Sequence, residues 1–209
     1  MAAQVLSHRR RTPPLPLEQY PLAALPVAVR LAGSVRLLEL SPLLFIQRYT
    51  LDPTHLHSIA YFCGGTYNES FDIVYVTIGA LGWLPDLEAY FAVVRRLLRP
   101  GGYFFLYEMH PVLDMFDAPT GLEVKHSYFR TTPYVEEAAP DYLDKSTVVE
   151  ATSYWFHHKL SDVIGGCLGA GLGLRLFEEY DHDESGVYAA FEHLEHKPPL
   201  SYAVLAQKA

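Results

Sequence analysis

Residues 71–110 read FDIVYVTIGALGWLPDLEAYFAVVRRLLRPGGYFFLYEMH, and this stretch decides the fold. Phe71 to Val76 is a β-rich run with a polar residue only at Asp72. Such a run suits a strand buried on both faces. Thr77 to Pro85 holds two glycines and a proline, so it reads as a loop leaving that strand's carboxyl end. Asp86 is an N-cap candidate for the helix that follows. In that helix Leu87, Tyr90, Phe91, Val94, Leu97 and Leu98 recur at three- and four-residue steps and form one apolar stripe. Arg95, Arg96 and Arg99 lie in its last turns, where cations suit the negative helix end. Pro100 cannot continue the helix, and Gly101 and Gly102 turn the chain into a second strand, Tyr103 to Tyr107. Strand, helix, strand over so short a span is a crossover unit, so a parallel sheet is expected.

With Pro111 added, this stretch resembles the fourth and fifth strands, and their connecting helix, of class I S-adenosylmethionine-dependent methyltransferases. The LLRPGG turn ahead of a β-rich run carries the likeness, together with the FDIVYV strand and the GALGWLPDL loop before it. The resemblance implies an α/β fold: a Rossmann-like, mostly parallel sheet with helices on both faces and an antiparallel last strand. It also implies S-adenosyl-L-methionine as methyl donor and a small molecule as acceptor.

The likeness extends upstream. AVRLAGSVRLLELSP, residues 28–42, resembles the family's helix, glycine, second strand, acidic residue and Ser-Pro. On this reading Pro21 to Ala32 is a short helix and Val35 to Leu40 the second strand. Glu39 then falls where the family's acid accepts from both ribose hydroxyls, a task suited to two carboxylate oxygens. Ser41 stands beside it. His57 to Cys63 reads as a third strand, and Gly65 and Thr66 follow where the family holds the adenine, without the family's usual acid. Thr77, Gly79 and Leu81, in the loop after the fourth strand, complete the cofactor-side candidates. Trp83 and His110, at the sheet's carboxyl edge, are the substrate-side candidates. Taken by themselves, Glu39 is a charged strand end, Trp83 serves packing equally well, and His110 is a loop histidine bonded to backbone. No catalytic residue is nominated.

One departure is large. The family's glycine-rich loop should fall near residues 18–26, EQYPLAALP, which contain no glycine and two prolines. No first strand precedes them, so the first strand and the loop read as missing or degenerate. An altered coding start, a degenerate relative and an unusual but functional loop are the three explanations. The alternative to methyl transfer is therefore a catalytically impaired remnant or interaction module that does not bind the cofactor.

Bulk properties set the frame. The 209 residues suffice for one domain, and 50% hydrophobic with 19% charged residues are globular values. No apolar run approaches membrane-spanning length. A formal charge of −8 argues against a nucleic-acid partner held through its phosphates. Residues 1–50 carry a net +4 and the remainder −12. The Arg- and Pro-rich residues 1–20 are expected to be a disordered leader ahead of one methyltransferase-like domain, 21–209. Cys63 and Cys167 are too few for a disulfide scaffold or a zinc site, so a reducing, cytoplasmic setting is expected. Residues 112–152, aromatic and acidic without period, read as an insertion covering the site. The GAGLG run at 169–173 follows a helix and opens a strand, which makes it a helix end and not a cofactor loop. His157, His158, His182, His193 and His196 lack a defined ligand set, so no metal is expected.

Overall fold

In the computed structural model the chain is described over residues 27–32, 35–40, 67–116, 122–137, 139–140, 148–149 and 152–209. The strands are β1 (Val27–Ala32), β2 (Val35–Leu40), β3 (Phe71–Val76), β4 (Leu98–Met109), β5 (Tyr134–Glu136), β6 (Ala139–Pro140), β7 (Val148–Val149), β8 (Ser153–Trp155), β9 (Leu172–Tyr180) and β10 (Ser201–Lys208). The α-helices are α1 (Leu87–Leu97), α2 (Leu160–Gly169) and the single turn α3 (Ala189–Glu192), with 3₁₀ turns at Leu81–Trp83 and Pro111–Met115. Six strands form one sheet in the order β1-β2-β3-β4-β10-β9. β2, β3, β4 and β9 run one way, and β1 and β10 run against them. The sheet is thus mostly parallel with an antiparallel final strand, in an α/β fold.

The decisive stretch folds as its pattern demands. β3 and β4 pair in parallel, with Val74 opposite Phe104 and Val76 opposite Leu106. Asp86 caps α1 by accepting from the backbone N–H of Ala89 at 3.0 Å. The stripe Leu87, Tyr90, Phe91, Val94 and Leu97 is buried. Arg99 has left the helix and pairs with Asp72 across the β3–β4 ladder. β4 begins earlier than expected, at Leu98, so the Pro100-Gly101-Gly102 turn lies within the strand; the register shifts between Phe71 and Ile73 to accommodate it. Gly101 takes φ +76°, a conformation that glycine adopts at no steric cost.

α1 and α2 pack together on one sheet face, over Val74, Val76, Phe104, Leu106, Val204 and Ala206. Cys167 of α2 is fully buried there, and burial pushes its thiol up to about 12, which disfavours the thiolate. α2 starts one residue before Ser161: Asp162, its third residue, accepts from the Lys159 backbone N–H at 3.1 Å. α2 ends at Gly169, Gly171 takes φ +74°, and β9 follows, so GAGLG is a helix end. Between Pro111 and Ser153 the described elements are short: β5 pairs with β8, and β6 with β7.

Two expectations at the chain's start are corrected. Val27–Ala32 is a strand antiparallel to β2, not part of a helix. Val27, Val29 and Leu31 alternate with Ala28, Arg30 and Ala32, and Gly33-Ser34 separates the strands by two residues, which is a hairpin signal. β2 also lies directly beside β3, in parallel, with Leu37 opposite Ile73. In a doubly wound sheet ordered 3-2-1-4-5-6 the second strand is one place removed from the fourth, and the first is its neighbour. Val35–Leu40 therefore fills the first strand's slot. An unpaired edge on β3 would leave a row of backbone groups without partners, and Val35–Leu40 supplies them. The expected strand at residues 57–63 lies outside the described residues.

Candidate functional site

The alternation of β4 puts Gly102, Phe104, Leu106 and Glu108 on the buried side. Its last buried position is thus a carboxylate, 5% exposed, at the carboxyl end of the sheet. Glu108 is held from the loop after β3. Oε2 accepts from the backbone N–H groups of Ala80 and Leu81 at 3.0 and 3.1 Å. Oε1 accepts from Gly79 N–H and from Met109 N–H, the latter at 2.9 Å. Gly79 turns with φ +80°, which aims three successive amides at one side chain. Four N–H donors bond the ionised form, but burial outweighs them and pushes the carboxyl up to about 7.

A narrow cleft opens beside this carboxylate. Leu81 and Gly82 border it from the loop, Glu108 and His110 from the end of β4, and Asp114 from the turn beyond. Phe156, His158 and Tyr202 close its other side. Its lining holds two carboxyl groups, aromatic rings and no Lys or Arg.

The three histidines here differ in what their ring nitrogens do. His110 caps the Pro111–Met115 turn: Nδ1 accepts from Val112 N–H at 3.2 Å, so Nε2–H donates to Glu179 at 2.9 Å. Burial lowers its pKa against the pull of Glu179. His157 places Nδ1 2.8 Å from Asp114 and Nε2 2.7 Å from the Tyr128 carbonyl. His158 Nε2–H donates to the Leu84 carbonyl at 2.7 Å. Burial lowers the His158 pKa below 6.5, with Leu84, Asp162 and Asp114 pulling the other way and His157 adding to the fall. At pH 7 this ring is neutral.

Trp83 stands edge-on to Trp155, centroids 5.6 Å apart. The chain after β8 is further tied down by Phe156 N–H, which donates to the Gly82 carbonyl at 2.7 Å. A Cβ on Gly82 would lie 2.2 Å from the Trp155 ring. Gly82→Ala therefore has to displace the indole, at a cost of about 1–3 kcal/mol. The same substitution in a Trp155→Ala background should cost almost nothing. Urea midpoints of the four proteins check this; equal costs in both backgrounds would mean that the indole is not the obstacle.

Of the residues singled out from sequence, the structure brings Leu81 and His110 to the cleft, with Trp83 next to it. Gly79 and Leu81 turn their N–H groups to Glu108. Thr77 begins the same loop. Glu39 lies in β2, opposite Tyr75 in the ladder. Ser41, Gly65 and Thr66 lie outside the described residues. Sequence reasoning passed over Glu108 as a site residue and saw His158 only as one of several histidines. Glu108 was legible from the two-residue period of its strand, since an acid on a buried face needs donors. His158 had no such signal. Among the described residues no three His, Cys, Asp or Glu side chains gather as a metal site, and no helix is long and apolar enough to cross a membrane.

Comparison with known proteins bears on the same elements. Residues 54–106 match the methyltransferase domain model, a span that includes β3, the loop, α1 and most of β4. No curated protein matches the chain. Among solved structures, a candidate S-adenosylmethionine-dependent methyltransferase from Listeria monocytogenes is 18% identical, with 68% of this chain and 63% of that chain covered and a TM-score of 0.48. An S-adenosylmethionine-dependent methyltransferase from Mesorhizobium loti is also 18% identical, with 68% and 63% covered and a TM-score of 0.42. A third, from Methanosarcina mazei, is 17% identical, with 71% and 64% covered and a TM-score of 0.46. The chain spans less than two thirds of the length of each. Over residues 54–106, about a quarter of its length, this chain is similar to the methyltransferase domain.

Proposed function

We propose that this protein transfers the sulfonium methyl of S-adenosyl-L-methionine to a small molecule. The observation that carries the reading is the methyltransferase-domain match over residues 54–106, which ends beside the cleft at the carboxyl ends of β3 and β4. In open α/β sheets ligands bind at that edge. The donor set fits a cationic ligand: carboxyl groups and aromatic rings line the cleft, and no cation opposes them. Glu39, Ser41, Gly65, Thr66, Thr77, Gly79 and Leu81 are the residues proposed to hold the cofactor. Gly79 and Leu81 would do so through shape and carbonyl groups, because their N–H groups serve Glu108.

When bound, the cofactor supplies an activated methyl on a good leaving group. The chain's own task is then alignment, which can account for most of a methyl transfer's rate. Glu108 fixes the loop, the chain after β8 borders the cleft from outside, and Trp83 braces it. A reducing, cytoplasmic setting belongs to this proposal.

The second reading, a remnant that does not bind the cofactor, rests on the absence of glycine before Gly33. One experiment separates the two. With S-adenosylhomocysteine at a hundred times its Kd, melting should rise by about 5–10 °C. No shift and no titration heat, in a protein shown to be folded, would leave the second reading standing.

A further inference from the structure

His158 is placed to do what neither neighbouring histidine can. Both ring nitrogens of His110 are engaged, one by the Val112 N–H and one by Glu179. Both nitrogens of His157 face oxygens, and its side chain is 1% exposed. His158 borders the cleft with only Nε2 bonded, to the Leu84 carbonyl. A carbonyl oxygen only accepts, so Nε2 carries the hydrogen and the neutral ring keeps its lone pair on Nδ1. Among the described residues no hydrogen bond reaches Nδ1.

We propose that His158 Nδ1 is the general base of this site and that the methyl acceptor is a hydroxyl compound. This rests on the methyl-transfer reading above. A neutral amine already offers a free lone pair and needs no base in the transfer. A hydroxyl is a poor nucleophile until its proton leaves, which is where a positioned base contributes. In the step the hydroxyl oxygen forms a bond to the methyl carbon as the carbon–sulfur bond breaks, its electron pair going to sulfur. The hydroxyl proton passes to Nδ1, and His158 later releases it to solvent. Burial supports the assignment, since it keeps the ring unprotonated at pH 7.

The test pairs binding with transfer. S-adenosylmethionine is titrated into the full chain first; absence of binding removes the methyl-transfer reading and this proposal with it. Given binding, labelled methyl transfer is measured to phenol and catechol, with aniline and benzylamine as the nitrogen arm. Transfer to the hydroxyl probes is expected, rising with pH through one ionisation below 6.5. His158→Gln keeps an N–H group near the Nε2 position for Leu84 but has no basic nitrogen. It should melt like the parent, lose about a hundredfold or more of hydroxyl transfer, and lose the pH step. Transfer to the amines alone, or His158→Gln with unchanged rate and pH profile, overturns the proposal. Nitrogen-15 spectra of the parent give a check independent of that variant's folding. An Nε2–H tautomer at pH 7 is expected, and an Nδ1–H tautomer or an imidazolium overturns it.

Discussion

Glu108→Ala should lower the stability of the protein by about 3–5 kcal/mol, a large share of what a domain of this size possesses. Four backbone donors, on Gly79, Ala80, Leu81 and Met109, lose their acceptor together. Each buried unsatisfied group costs about 1–3 kcal/mol, and water entering from the adjacent cleft offsets part of the sum. The measurement is the urea midpoint, with hydrogen exchange at residues 79–81 as the local readout. Those three amides should lose protection even in native conditions, because the loop after β3 has lost its anchor. An unchanged midpoint with protected amides would mean that Glu108 does not hold the loop.

The same side chain fixes a pH dependence. Its native pKa is raised from 4.5 to about 7, so between those values the native state holds a proton that the unfolded state has released. Stability falls with rising pH wherever the native state binds more protons. The contribution is complete below pH 4.5, fades through the interval and is gone above 7, amounting to about 3 kcal/mol. Glu108→Gln cannot titrate. Its stability deficit relative to the parent should therefore shrink as pH is raised from 4.5 to 8. A deficit independent of pH would show that the carboxyl ionises normally.

What the sequence disclosed and what it hid follow from the range of the interactions. α1 was readable because its cap, its stripe and its cationic end are local: Asp86, the Leu87-to-Leu97 spacing and Arg95–Arg96 all lie within twelve residues. β3 and the start of β9 after GAGLG were readable for the same reason. β2 was found as a strand but assigned to the wrong slot, because neighbour choice depends on which edge is open, and no residue of VRLLEL encodes that. Val27–Ala32 was read as helix from its apolar content, although its alternation is that of a strand. At the site, reading the second strand as ending at Tyr107 left Glu108 outside it and obscured the alternation that sets Glu108 on the face of Leu106. His158 reaches the cleft from 50 positions along the chain, and only the tertiary fold could place it.

The contact of α1 with α2 gives the second large effect. Phe91 is fully buried, edge-on to Phe104 with centroids 5.5 Å apart, and its ring lies against Gly166 of α2. Phe91→Ala should cost about 3–5 kcal/mol, through lost burial and the hole left under α2. Gly166 explains why the ring fits: a Cβ there would lie 2.4 Å from the Phe91 ring. Gly166→Ala alone gains about 1 kcal/mol in helix propensity but meets an overpacking cost of about 1–3 kcal/mol, so it should destabilise or at best break even. Without the Phe91 ring the clash vanishes and the propensity gain remains. The same Gly166→Ala change should then stabilise the Phe91→Ala protein by about 1 kcal/mol. Denaturant unfolding of all four proteins gives the coupling directly. A substitution at 166 with the same effect in both backgrounds would mean that the two helices do not meet at this ring, and that the core under the cleft is built differently.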